Sequence, residues 1–110
     1  MIPNHPAFLA AIHDRMKVCV RYYSKPDSAV LDRVCAPLDY GPGTETPEGP
    51  HRYWLWDLGD RVADPLLGLV SGQIVDLRVL GEAFNPALPN LKPMVWSVPR
   101  DWNLASNPGI

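Results

Sequence analysis

The sequence predicts a mainly β domain: an N-terminal helix, five short strands bent into a small barrel, and an irregular tail rich in proline and tryptophan. Three observations lead there. Apolar side chains recur at helical spacing as far as Met16 and at a spacing of two from Lys17 onward. Turn signals separate the later apolar runs at short intervals. Prolines after Phe84 forbid the second helix that a ferredoxin-like arrangement requires.

Residues 4–16 read as the helix, with Asn4 suited to the N-cap and Pro6 to the first turn. Phe8, Leu9, Ile12 and Met16 form one apolar stripe, and Ala7, Ala10 and Ala11 favour helix without adding bulk. The first strand then places Val18, Val20 and Tyr22 on one face and Cys19, Arg21 and Tyr23 on the other. Residues 24–28, SKPDS, make a turn. Residues 29–37 alternate again, with Val30, Val34 and Ala36 opposed to Leu31, Arg33 and Cys35, so the two runs form a hairpin. Residues 39–50, DYGPGTETPEGP, read as a loop. Residues 52–58, RYWLWDL, are the third strand, with Tyr53, Leu55 and Asp57 on one face and Trp54, Trp56 and Leu58 on the other. Gly59-Asp60 opens a turn, residues 65–70 form the fourth strand, and Ser71-Gly72 is a tight turn. Residues 73–80 form the last strand, apolar on both faces except at Asp76 and Arg78. A helix capping a bent five-stranded sheet is the Sm/SH3-like arrangement. Val18, Val20, Leu55 and Ile74 are expected in its core.

The chain has 110 residues and a formal net charge of −2. That is one domain's worth of chain, and its charge excludes a polycation that coats nucleic acid. No run of about 18 apolar residues occurs, and the N-terminus lacks a basic segment before an apolar one, so a cytoplasmic protein without membrane contact is expected. The thirteen prolines exceed an average usage of about 5% and punctuate loops and tail. Cys19 and Cys35 are expected as reduced thiols that could face each other across the hairpin. His5, His13 and His51 have no metal-ligand spacing, Gly41-Pro42-Gly43 does not lead into a helix, and Asp57 with Asp60 flanks a turn. No enzyme, metal or cofactor is expected.

The candidate site is the run Arg52-Tyr53-Trp54-Leu55-Trp56. A strand alternates faces, so some of this aromatic bulk must leave the main core. It forms either a second packed layer or a platform on which a planar ligand or a base stacks. Arg21, Arg33 and Arg52 lie on or near neighbouring strands and could form an anion-binding patch with Tyr53 and Trp54.

From about residue 11 to residue 86 the layout resembles the WYL domain, a small Sm-like barrel of bacterial and archaeal regulators. The blocks AIHDRMKVCVRYYS, DRVCAPLDYG, RYWLWDLGD and PLLGLVSGQIVDLRVLGEAFNP carry the resemblance, with Tyr53-Trp54-Leu55 at the namesake triplet, its aromatics exchanged. The resemblance implies a ligand sensor for nucleotides or nucleic acids that regulates transcription or anti-phage defence. It matches basic strand positions at Arg21 and Arg33, whereas Val70 and Gln73 stand where the family carries basic residues. Such regulators usually carry a helix-turn-helix, so a stand-alone form implies a separate DNA-binding partner chain.

The expectation is therefore a non-catalytic sensor over residues 1–86, binding a nucleotide-like molecule or single-stranded nucleic acid through Arg21, Arg33, Arg52, Tyr53 and Trp54. The alternative is a protein-interaction module without a small ligand. Residues 87–110 are expected to pack rather than hang free, with Trp56, Trp96 and Trp102 at the contact of a homo-oligomer.

Overall fold

The structure, a computed structural model, describes residues 1–43, 46–59, 63–88 and 91–104. Helix α1 spans His5–Asp14 and buries Phe8, Ala11 and Ile12. It ends before the expected Met16 because Arg15 adopts a left-handed conformation, φ 60°, from which its N–H caps the helix. Asn4 occupies the N-cap without a side-chain cap; its amide donates instead to the Leu77 carbonyl.

Five strands follow: β1 Met16–Ser24, β2 Ala29–Gly41, β3 Arg52–Asp57, β4 Leu66–Leu69 and β5 Ile74–Ala83. They form one antiparallel sheet in the order β4-β3-β2-β1-β5. A short 3-10 turn, Ser71–Gln73, carries the chain from one edge strand to the other. The Gly59-Asp60 turn runs into residues 60–62, which lie outside the described residues.

The bend comes from β2. Its first half pairs with β1 and its second half with β3, and only Cys35 pairs with both. Residues 35–39 are all buried, which strict alternation forbids. A register shift at Leu38 accounts for this, moving Asp39 opposite Trp54 and Tyr40 opposite Tyr53. The expected loop at 39–50 therefore begins only after Gly41. Asp39 counted as loop in the sequence, but it is buried strand.

The core lies between α1 and the inner sheet face, where Val18, Val20, Tyr53 and Leu55 are inaccessible. Ile74 packs at its margin, partly buried. The face assignments of β1 and β3 hold along both strands. In the first half of β2 the alternation holds, with Leu31 and Cys35 facing inward and Val30 and Val34 facing solvent. Cys19 pairs with Val34 and Cys35 with Val18, so the two thiols lie on opposite faces and do not meet. Burial raises the Cys35 thiol pKa well above the ordinary value, keeping it protonated.

The tail folds back onto its own barrel. Trp102 is 5% exposed, donates its indole N–H to the Ile12 carbonyl at 2.8 Å and meets Phe84 edge-on. Trp96 donates to the Asn103 carbonyl at 2.8 Å, and Arg15 pairs with Asp101 at 3.0 Å. The expected packing of the tail is present over residues 91–104; residues 89–90 and 105–110 lie outside the described residues. Trp102 was expected at a subunit contact. It is instead enclosed by its own chain, because a buried indole N–H needs an acceptor and the frayed end of α1 offers one. Replacing Trp102 by Ala is expected to lower stability by about 3–5 kcal/mol. In denaturant titrations this loss is the same at low and high protein concentration, where a subunit contact would make it concentration-dependent.

A second anchor fixes the other end of α1. Tyr53 Oη accepts the Ile2 N–H at 3.1 Å and lies 2.8 Å from His5 Nδ1, with Tyr40 packed against both rings. In the tautomer that leaves Nδ1 bare, the phenol proton goes to a neutral imidazole. Burial, and secondarily the N-terminal ammonium, pull the His5 pKa below the ordinary 6.5. A histidine depressed in the folded state contributes stability that is present above the unfolded value and is lost as pH falls through the folded one. The urea midpoint is accordingly expected to drop between about pH 7 and pH 5. In His5→Gln, which keeps an acceptor for Tyr53, that part of the pH dependence flattens.

Candidate functional site

Because Tyr53 and Leu55 face the core, Trp54 emerges on the outer face of β3, half-buried. Its indole N–H donates to the Gly41 carbonyl at 3.0 Å. The six-membered ring lies flat against Gly68 of β4, its directly paired neighbour. A methyl group at Gly68 would fall within 3.0 Å of three ring atoms. Gly43 sits at another edge of the ring, where a methyl would make ordinary contact with it. The glycines that flank Pro42 thus seat an indole.

The tail lies over this same face. Asp39, turned outward by the β2 register shift, is 8% exposed. Its two carboxylate oxygens accept the N–H of Ser97 at 3.0 Å and of Val98 at 2.9 Å. Arg100 approaches Oδ1 at 3.5 Å, with its own side chain fully shielded. The guanidinium lies 4.1 Å from the Trp96 ring centre and 4.9 Å from that of Trp102. Burial pulls the Arg100 pKa down to about 10, opposed by Asp39, so the guanidinium stays charged at neutral pH. Ser97 rests on Gly41, where a Cβ would lie 2.6 Å from the Ser97 hydroxyl.

Between sheet and tail runs a cleft of about 420 Å³. Leu38, Asp39, Trp54 and Leu66 form its sheet wall, and Leu91, Met94, Trp96 and Ser97 its tail wall, with Thr46 at the rim. Among the described residues no lysine or arginine lines it. Val95, at the rim, is 88% exposed. The volume falls within the range of small-molecule sites.

The arginines predicted from sequence do not converge. Arg21 pairs with Asp32 across the hairpin on the outer face, at 2.9 Å. That bond holds the Asp32 carboxyl below its ordinary value. Arg33 sits opposite Val20, on the inner side, and reaches buried Asp57 at 3.4 Å. Neighbouring residues in a strand point to opposite faces, so Arg21, next to Val20 in β1, and Arg33, paired with Val20 across the hairpin, cannot share a concavity. Arg52 donates to the Gly68 carbonyl at 3.1 Å, beside Trp54. Tyr53 is wholly buried and anchors the N-terminus. Of the predicted ligand set, Trp54 alone lines the cleft. Trp56 is half-buried against the core cluster, and Trp96 serves as cleft wall and as support for Arg100.

Sequence reasoning missed Asp39, Leu38, Gly68, Ser97 and Arg100. Only Gly68 carried a signal, since an isolated glycine within an apolar strand marks a close approach. Among the described residues no group of three or more His, Cys, Asp or Glu could hold a metal ion, and no helix is long and apolar enough to cross a membrane. Comparison with protein-family models, with curated proteins and with solved structures finds no match to the chain.

The seat of Trp54 is testable. In Gly68→Ala the added methyl displaces a ring hemmed in by backbone, at a cost of about 1–3 kcal/mol for overpacking. Tryptophan emission is expected to shift to longer wavelength as Trp54 moves into water, and an unchanged spectrum at full stability would contradict the described seat.

Proposed function

We propose that this protein is a non-catalytic ligand-binding domain that takes a small, neutral, planar or apolar molecule in the cleft between Trp54 and the tail. The observation that carries this is the lining: one tryptophan face, aliphatic side chains, two hydroxyls at Thr46 and Ser97, and an Asp39 whose oxygens already accept two N–H groups. A nucleobase-like ring suits such a wall. A phosphate finds no partner there, since Arg21, Arg33 and Arg52 are each engaged elsewhere. The WYL resemblance supports a sensing role, its output passed to a separate DNA-binding chain. It fits the helix–sheet order, but the site sits where Trp54 is, not where the arginines are.

A second reading, an interaction module, is favoured by a separate observation. Tyr23, Val30, Val34 and Val75 are exposed on the solvent side of β1, β2 and β5, and Tyr23 and Val30 form one cross-strand pair. Sedimentation over a range of concentrations tests it directly.

For the cleft, the uncharged dye phenylnaphthylamine serves as probe. Its fluorescence is expected to rise on binding, and Trp54→Ala is expected to weaken that binding roughly tenfold or more, the loss of one aromatic stack. Adenosine is expected to compete better than its triphosphate. Equal binding by wild type and Trp54→Ala, or tighter binding of the triphosphate, would remove the proposed site.

A further inference from the structure

Asp39 belongs to two structures at once. It lines the cleft, and it holds the tail through Ser97, Val98 and Arg100. The tail is in turn a complete wall of that cleft, so the cleft exists only while the tail is docked. From this we propose that the tail is a strap whose docking is coupled to occupancy of the cleft through Asp39. A neutral aromatic guest then fastens the strap, and release of the strap empties the cleft. The inference rests on the ligand-binding reading above.

The docking is built to be reversible. Among the described residues the buried side-chain polar atoms without a hydrogen-bond partner are Arg15 Nε, Arg100 Nη1 and Asn103 Oδ1. Two lie in the strap, and the third lies on the arginine that grips it at Asp101. Buried polar groups left unpaired favour the state in which water reaches them. The apolar wall works in the opposite sense. Leu91, Met94 and Trp96 lose water only when they close over the sheet. A guest that fills the space between the walls adds contacts to the closed state alone. It therefore shifts the balance toward closure.

Closure also hides a protease site. Arg100 has no side-chain exposure in the docked strap, and trypsin cleaves between it and Asp101 only after release. Lys92, the other basic residue of the strap, precedes Pro93 and resists cleavage. Loss of residues 101–110, followed by mass spectrometry, thus reads strap opening.

Saturating phenylnaphthylamine is expected to slow cleavage after Arg100 at least about tenfold. Asp39→Asn, which replaces one acceptor oxygen by a donor amide, is expected to speed it by a similar factor. Linkage requires dye affinity to fall in proportion to the fraction of strap left docked, so a variant in which the strap is mostly open binds the dye more weakly. Val98→Pro removes a single N–H donor outside the sheet and repeats the test should Asp39→Asn fail to fold. Circular dichroism establishes that the sheet persists in either. Dye binding to the wild type with no change in the Arg100 cleavage rate would overturn the coupling alone. So would a variant whose strap is mostly open yet which binds the dye at full affinity. Absence of dye binding to the wild type would overturn the ligand-binding reading and the coupling with it.

Discussion

The register shift at Leu38 is the constraint on which the rest of the molecule depends. A strand that keeps its alternation would send Asp39 inward, where a carboxylate has no water and no partner. The shift sends it outward instead, opposite Trp54. The shift adds to the bend that β2 already makes where it changes partners at Cys35. The outer face acquires a buried acceptor that a passing backbone can satisfy, and the tail supplies Ser97 and Val98. Tail docking is thus a result of the irregularity in β2.

The parts of the fold that were legible are those governed by local periodicity. β1 and β3 alternate as their apolar spacing requires, because each has one face against α1 and the other away from it. The second half of β2 was not legible. Asp39, Tyr40 and Gly41 carry breaker chemistry, yet they extend the strand because β3 pairs with them and Asp39 gains three donors from residues nearly sixty positions away. Tertiary partners override propensity there. Helix α1 was read slightly too long for a related reason. Met16 continues the apolar stripe, but the left-handed Arg15 turns it into β1.

The candidate site shows the same division. That part of the aromatic bulk of β3 must leave the core followed from alternation alone, and the structure sends Trp54 and Trp56 outward while Tyr53 stays in. Convergence of Arg21, Arg33 and Arg52 did not follow, because it depends on which face each arginine takes. Arg21 and Arg33 sit across from Asp32 and Val20, consecutive rungs of one ladder, so they diverge. The tail's apolar bulk showed that it would pack. Nothing in its sequence showed that Trp96 and Trp102 would bracket Arg100, or that an aspartate in β2 would receive it.

Charge pairing explains what kind of ligand the remaining surface suits. The chain is nearly balanced, at −2, and among the described residues four arginines have a carboxylate within 3.5 Å. Arg21 has Asp32, Arg33 has Asp57, Arg15 has Asp101 and Arg100 has Asp39. An anionic ligand at any of these four arginines would have to displace its partner. At Asp39 or Asp57, both largely buried, displacement would strand a charge away from water, which is far costlier than breaking an exposed pair. Trp54 carries no such obligation beyond its bond to Gly41, which fixes its edge and leaves the ring to bound the cleft. Under the proposed reading a ligand of the cleft meets a largely uncharged wall, and that wall owes its shape to the carboxylate that holds the tail above it.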